Sequence, residues 1–263
     1  MWRLTTYRTG FYAAGLALLL VSAALANAVT VTFAATSQTN EPGKVAFSFA
    51  EGQRAARAWF EVSGGSLVVT LTNTSPHDLM VPNENLTALF FDLAGNSGLT
   101  PGTALLGAGS KVYRGDQLVD VPGGDVSGEW AYKKGLAGVP AAYCLSSVGL
   151  GDLVGSKDRF NTSMNLEGPD SPDGMQYGLA STGDDRATGN GGILGNSLIQ
   201  DTVVMRLSGL PTEFSLDGVS NVWFHYGTDG PTWSQPPIPE PLTLIGLAVG
   251  LGAAVWYRRA VGR

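Results

Sequence analysis

Apolar and polar residues alternate along much of the chain, in short runs separated by turn formers. Val29-Thr30-Val31-Thr32-Phe33 sets the pattern and Val45-Ala46-Phe47-Ser48-Phe49 repeats it. Arg57-Ala58-Trp59-Phe60-Glu61-Val62 then leads to Ser66-Leu67-Val68-Val69-Thr70-Leu71-Thr72. A period of two sends successive side chains to opposite faces of an extended backbone, so each run predicts a strand with one face in a core. Ser63-Gly64-Gly65 predicts a tight hairpin between the last two, because glycine reaches the positive φ that such turns require. Leu86 to Leu93, Thr202 to Leu207 and Val219 to Tyr226 predict further strands, while Gln53 to Phe60 leaves a short helical turn open as an alternative. No segment between the two ends carries a sustained 3.6-residue apolar stripe with caps. The fold class expected is all-β: a single antiparallel β-sandwich or jelly-roll-like domain.

Residues 95–195 differ in composition, being crowded with glycine, proline, serine and aspartate. Their scattered aromatics, among them Tyr113, Trp130, Tyr143 and Tyr177, predict long Gly/Asp/Pro-rich loops and short strands that pack, since about a hundred residues without structure is unexpected inside a compact domain.

The two ends read differently again. Arg3 and Arg8 precede the apolar run Phe11 to Ala24, and Ala26-Asn27-Ala28 offers the small residues that signal peptidase cleaves after. Residues 1–28 are therefore expected to be a signal peptide, with cleavage after Ala26 and an uncleaved anchor as alternatives, and the chain is expected to be exported. At the other end Pro239-Glu240-Pro241 precedes the uncharged run Leu242 to Tyr257, followed by Arg258, Arg259 and Arg263. As a helix that run spans roughly 24 Å, close to the ~30 Å of a bilayer core. Arginines beyond it are retained on the cytoplasmic side, which leaves everything before Pro239 facing out. The two prolines stop the helix from extending upstream and keep the Pro-Glu-Pro segment extended and accessible.

Pro-Glu-Pro, an apolar helix and an arginine cluster, in that order at the terminus, resemble the tripartite PEP-CTERM sorting signal of Gram-negative bacteria. The resemblance covers residues 239–263 and makes Pro239, Glu240, Pro241, Arg258 and Arg259 the sorting motif, with the membrane helix at 242–257. It implies recognition and processing by exosortase, transient anchoring in the inner membrane with the domain in the periplasm, and delivery to the cell surface or extracellular matrix. A plain C-terminal anchor is the alternative. A second resemblance runs from Asn85 to Tyr226, which is similar to the shared domain of one subgroup of exosortase-dependent surface proteins. Its blocks here are Leu86 to Asp92, Gly128 to Lys133, Gly168 to Gly174, Gln176 to Leu179, Thr188 to Gly192 and Asn221 to Gly227. It implies a surface protein and carries no catalytic residues with it.

Between the ends, residues 29–238 form the expected extracytoplasmic β domain. They hold 11 Lys and Arg against 21 Asp and Glu, a formal charge of −10, where the whole chain has −6. That surface disfavours nucleic acid and anionic membrane as partners. Cys144 is the one cysteine, so no disulfide can form within the chain, and its apolar neighbours predict a small buried residue.

Candidate chemistry is sparse. The acidic, glycine-rich ground from Gly168 to Gly192 offers Asp170, Asp173, Asp184 and Asp185, whose carboxylates on flexible loops suit calcium. The competing reading is that these are Asp/Asn/Gly turns chosen for backbone geometry, because no Asp-x-Asp-x-Asp-Gly loop is present. Glu129 with Glu61 or Glu167 is the one imaginable glycosidase pair, and neither His77 nor His225 lies near a nucleophile elbow. No enzymatic activity is expected. Trp59, Trp130, Trp223 and Trp233 supply flat faces for sugar rings, and exopolysaccharide is the natural neighbour of a surface-sorted protein. The expected function is a structural or adhesive role in the envelope or biofilm matrix, with a calcium-dependent carbohydrate-binding module as the alternative.

Overall fold

The computed structural model describes residues 31–95, 98–151, 160 and 175–228. The expected signal peptide at 1–28, the sorting segment at 239–263, and Asp170, Asp173, Glu167 and Trp233 lie outside the described residues.

The described chain is all-β, in two antiparallel-rich sheets that enclose a shared core. Strand β1 (Val31–Ala34) belongs to the first sheet. The next four, β2 (Ser37–Glu41), β3 (Lys44–Glu51), β4 (Arg54–Ser63) and β5 (Ser66–Asn73), run as consecutive hairpins in the second. The chain returns to the first sheet in β6 (Leu86–Leu93), visits the second in β7 (Thr100–Leu106), and comes back for β8 (Lys111–Arg114), β9 (Gln117–Val119), β10 (Ala131–Lys134), β11 (Tyr143–Ser146), β12 (Leu179–Ala180) and β13 (Ser197–Gln200). Strand β14 (Thr202–Ser208) crosses to the second sheet once more, and β15 (Val219–Tyr226) ends in the first. The second sheet has the order β2-β3-β4-β5-β14-β7. The first has the order β1-β15-β6-β12-β13-β8-β9, with β11 also on β6 and β10 outside β11.

Alternation decides which residues go inward. Ala56, Ala58 and Phe60 of β4, Leu67, Val69 and Leu71 of β5, and Val203, Met205 and Leu207 of β14 are all fully buried, and all belong to the shared core. Withdrawing each large one from water contributes on the order of 1.5–3 kcal/mol. The alanine-rich start of β4 has good helix propensity, which is why the sequence leaves a helical turn open there. The strand forms because inward Ala56 and Ala58 bury between neighbours already paired with them, Phe49 and Phe47 of β3, and that packing outweighs a weak local preference. The hairpin between β4 and β5 closes through Gly64 (φ 59°) and Gly65 (φ 73°), two consecutive left-handed residues, as a two-residue turn of this hand demands.

Strand β6 is the buried spine of the first sheet. One edge pairs with β15, and the other is divided between β11, opposite Ala88 to Phe91, and β12, opposite Leu86. Leu86, Leu89 and Phe91 face the shared core. Ala88 and Phe90 face a second cluster on the far side of the sheet, with Ala131 and Cys144 beside them on β10 and β11 and Val148 and Phe160 packed in from outside the strands. A strand buried on both faces reads as a continuous apolar run rather than an alternating one, which is the pattern of Leu86 to Leu93. Cys144, 1% exposed, is a member of this second cluster. The second sheet has no comparable cover among the described residues.

Candidate functional site

Asp184 and Asp185 lie on a loop at 181–190 that packs against another at 74–84. Asp184 Oδ1 accepts the Leu79 N–H at 2.8 Å, and Asp78 Oδ1 accepts the Asp185 N–H at 3.0 Å. Asp185 Oδ1 accepts the Ala187 N–H at 3.1 Å and its backbone carbonyl accepts the Thr188 hydroxyl at 2.7 Å, an Asx turn followed by a hydroxyl tie. The Asn190 side chain caps the one-turn helix α1 (Gly191–Leu194) by accepting from Gly192 and Ile193. Gly183 sits where the two loops touch, and a Cβ there would collide with the Pro76 carbonyl. Asp184 and Asp185 each have a backbone partner already: that of Asp184 ties the two loops together, and that of Asp185 fixes a local turn. Among the described residues no group of three or more His, Cys, Asp or Glu side chains stands close enough to hold a metal ion.

The same loop carries a cation. Arg186 lies over the Tyr113 ring at 3.7 Å and donates to Gln200 Oε1 at 3.0 Å, so it pins the loop to β8 and β13. Behind it, between Asp184, Ile193 and Leu198, is space of about 10 Å³, enough for one water molecule. Burial holds the Asp184 carboxyl above the ordinary carboxylate range. The Leu79 N–H pulls the other way, neighbouring Asp78 and Asp185 push further up, and Arg186 opposes them.

The imagined catalytic groups have unrelated neighbours. Glu61 pairs with Lys44 at 3.0 Å on the outer face of the second sheet. Glu129 instead lies near Tyr177, whose hydroxyl is held up first by burial and then by that carboxylate. His225 is buried, with Nδ1 2.8 Å from the Thr32 hydroxyl and its ring edge-on to Phe90. His77 is exposed on the loop at 74–84. Asn73 and Asn85, both in Asn-x-Ser/Thr sequons, are 1% and 0% exposed, so neither side chain is open to modification.

The tryptophans divide. Trp130 is wholly buried in the shared core, so it offers no face to a sugar. Trp223 is half-buried against the second cluster, and its Nε1 donates to Asn221 Oδ1 at 2.7 Å. Trp59 points away from the core, at the middle of the second sheet's outer face. Strand register sets Thr39, Ala46, Trp59, Thr70, Val204 and Leu105 side by side across all six strands. The alternation of β4 already places Arg57, Trp59 and Glu61 on one face. Their cross-strand neighbours Lys44, Thr70 and Arg206 needed the register, which no local pattern supplies.

In comparison with known proteins, no family model, no curated protein and no solved structure matches this chain.

Proposed function

We propose that the chain is an exported surface or matrix protein, sorted and processed by exosortase, with a structural or adhesive role in the envelope or biofilm matrix. The observation that carries this is the order of Pro239-Glu240-Pro241, an uncharged run and Arg258-Arg259 at the end of a chain whose first residues read as a signal peptide. A single sandwich or jelly-roll-like domain bounded by residues 29 and 238 is part of the proposal, and an acidic surface suits a domain that must stay soluble outside the cell. The test is intact-mass analysis of the protein recovered from the surface of an exosortase-bearing host. Loss of Leu242 to Arg263 is expected, and a mature protein that keeps them is permanently anchored and refutes the sorting route.

Carbohydrate binding is the second reading, and the outward placement of Trp59 favours it. Its calcium-dependent form makes Asp170, Asp173, Asp184 and Asp185 the ligands.

A further inference from the structure

We infer that the outer face of the six-stranded sheet is a platform for a neutral polysaccharide, centred on Trp59. The inference rests on the adhesive reading above and adds the site and the ligand class. Three rows cross this face. The central one holds Ala46, Trp59 and Thr70. Ser48, Arg57 and Thr72 form the row on one side, and Lys44, Glu61 and Val68 the row on the other. Ala46 points outward yet is only 1% exposed, so its neighbours on this face cover it, and Trp59, opposite it on β4, is the largest of them. We infer that the indole, which is half-buried, leans over Ala46 and keeps part of its surface to solvent.

Neighbouring strands stand about 4.8 Å apart and residues two apart on a strand about 7 Å apart, so the indole is framed on all sides by groups within one ring's width. Thr70, Thr72 and Ser48 supply hydroxyls. Arg57 supplies donors beyond the one its Nε gives Ser48 Oγ at 3.3 Å, and Glu61 supplies the carboxylate oxygen that Lys44 does not bind. A half-buried aromatic side chain on an outer sheet face, bordered by donors and acceptors, matches a pyranose, whose axial C–H face is apolar and whose equatorial hydroxyls point sideways. A protein partner would want a far larger apolar centre, about 800 Å² from each side, than one indole inside rows of charge provides.

Charge selects the neutral class. Lys44, Arg57 and Arg206 stand on this face against Glu41 and Glu61, a near balance in a domain of formal charge −10. Lys44 is neutralised by Glu61, Arg206 donates to the Ser63 carbonyl at 3.0 Å and Arg57 to Ser48 Oγ, so the described residues gather no free cationic cluster for a polyanion. Among the described residues nothing covers this face, where the first sheet's opposite face is packed against Val148 and Phe160.

The experiment is affinity electrophoresis of the full chain in mild detergent, through gels containing hydroxyethylcellulose, laminarin or galactomannan, with alginate as a polyanion. At least one neutral polymer should retard the protein. Trp59→Ala should weaken that binding at least tenfold with an unchanged melting curve, since the side chain lies outside the core; Trp59→Phe should keep part of it, and Arg57→Ala should lose part. Should Trp59→Ala melt early, the other two variants decide. Unretarded migration in all three neutral gels, retention by alginate alone, or Trp59 and Arg57 variants that bind like the parent would each overturn the platform. Tail processing is read by mass on the same protein, so the sorting proposal can fail or stand independently of this one.

Discussion

Asp78 and Asp184 each accept a backbone N–H from the residue that follows the other: Leu79 gives to Asp184 at 2.8 Å and Asp185 gives to Asp78 at 3.0 Å. This reciprocal exchange ties together two loops separated by about a hundred residues of sequence. Removing the Asp184 carboxylate strands the N–H of Leu79, whose side chain is 1% exposed, and such a stranded donor costs on the order of 1–3 kcal/mol. Asp184→Ala should therefore destabilise more than Asp78→Ala, whose partner is exposed. In a double-mutant cycle the pair should couple by 0.5 kcal/mol or more, on the order seen for residues that share a network. Additive denaturation free energies would mean that the two bonds act separately.

Asp184 also predicts a pH dependence. Its carboxyl titrates above the ordinary value of 3.8, chiefly through burial, so the folded state binds that proton more tightly than the unfolded chain does. The stabilisation from protonation is complete below the ordinary value and is lost as pH rises through the raised one. Asp184→Asn keeps an oxygen for Leu79 and has no charge to bury. Relative to the parent it should gain stability between pH 4 and pH 7, measured as the difference in Tm. A variant that instead falls behind the parent at pH 7 would show that the native fold needs the negative charge there, as a bound cation would require.

Calcium supplies the complementary measurement. If Asp170, Asp173, Asp184 and Asp185 bind one ion, a hundredfold excess over Kd adds about 2.7 kcal/mol. That is a rise of several degrees, at ~2–4 °C per kcal/mol for a domain of this size. Turns built for geometry, as the partners of Asp184 and Asp185 suggest, give superimposable melts in calcium and in chelator.

Tyr226 is fully buried, and its hydroxyl has no hydrogen-bond partner among the described residues. A buried hydroxyl that has given up water without a protein acceptor is a net cost. Tyr226→Phe should be neutral or stabilising by up to about 1 kcal/mol in urea denaturation. A clear loss would reveal an internal water bonded to that oxygen.

Gly65 and Gly128 make a controlled pair, because a Cβ at either meets nothing within 4 Å. Only Gly65 has positive φ, 73°, so Gly65→Ala should cost about 1–2 kcal/mol from backbone strain while Gly128→Ala stays close to neutral. Equal melting temperatures for the two variants would contradict the turn assignment.

The strands that were legible in the sequence are those long enough to show a period. Leu86–Leu93 and Val219–Tyr226 carry the same limits in the structure as in the pattern, and Thr202 to Leu207 is short by one residue. Strands β8, β9, β10 and β13 were invisible because three or four residues between glycines cannot display alternation; neighbours recruited from elsewhere in the chain make them strands. The burial of Trp130 fits the expectation that the aromatics of residues 95–195 pack, while its place in the core shared by both sheets left no mark on the local sequence. At the candidate sites, Asp184 and Asp185 were found for their acidity. Asp78, the partner that explains them, was missed because reciprocity across the chain leaves no mark on local composition.

The first described strand pairs with the last, Val31 opposite Tyr226, and β15 lies between β1 and the spine strand β6. The amino-terminal strand consequently has no seat until the carboxy-terminal one has been delivered. Closure of this sheet is therefore tied to the far end of the sequence: a chain that ended short of residue 219 would leave β1 without its partner and the spine strand β6 with an open edge.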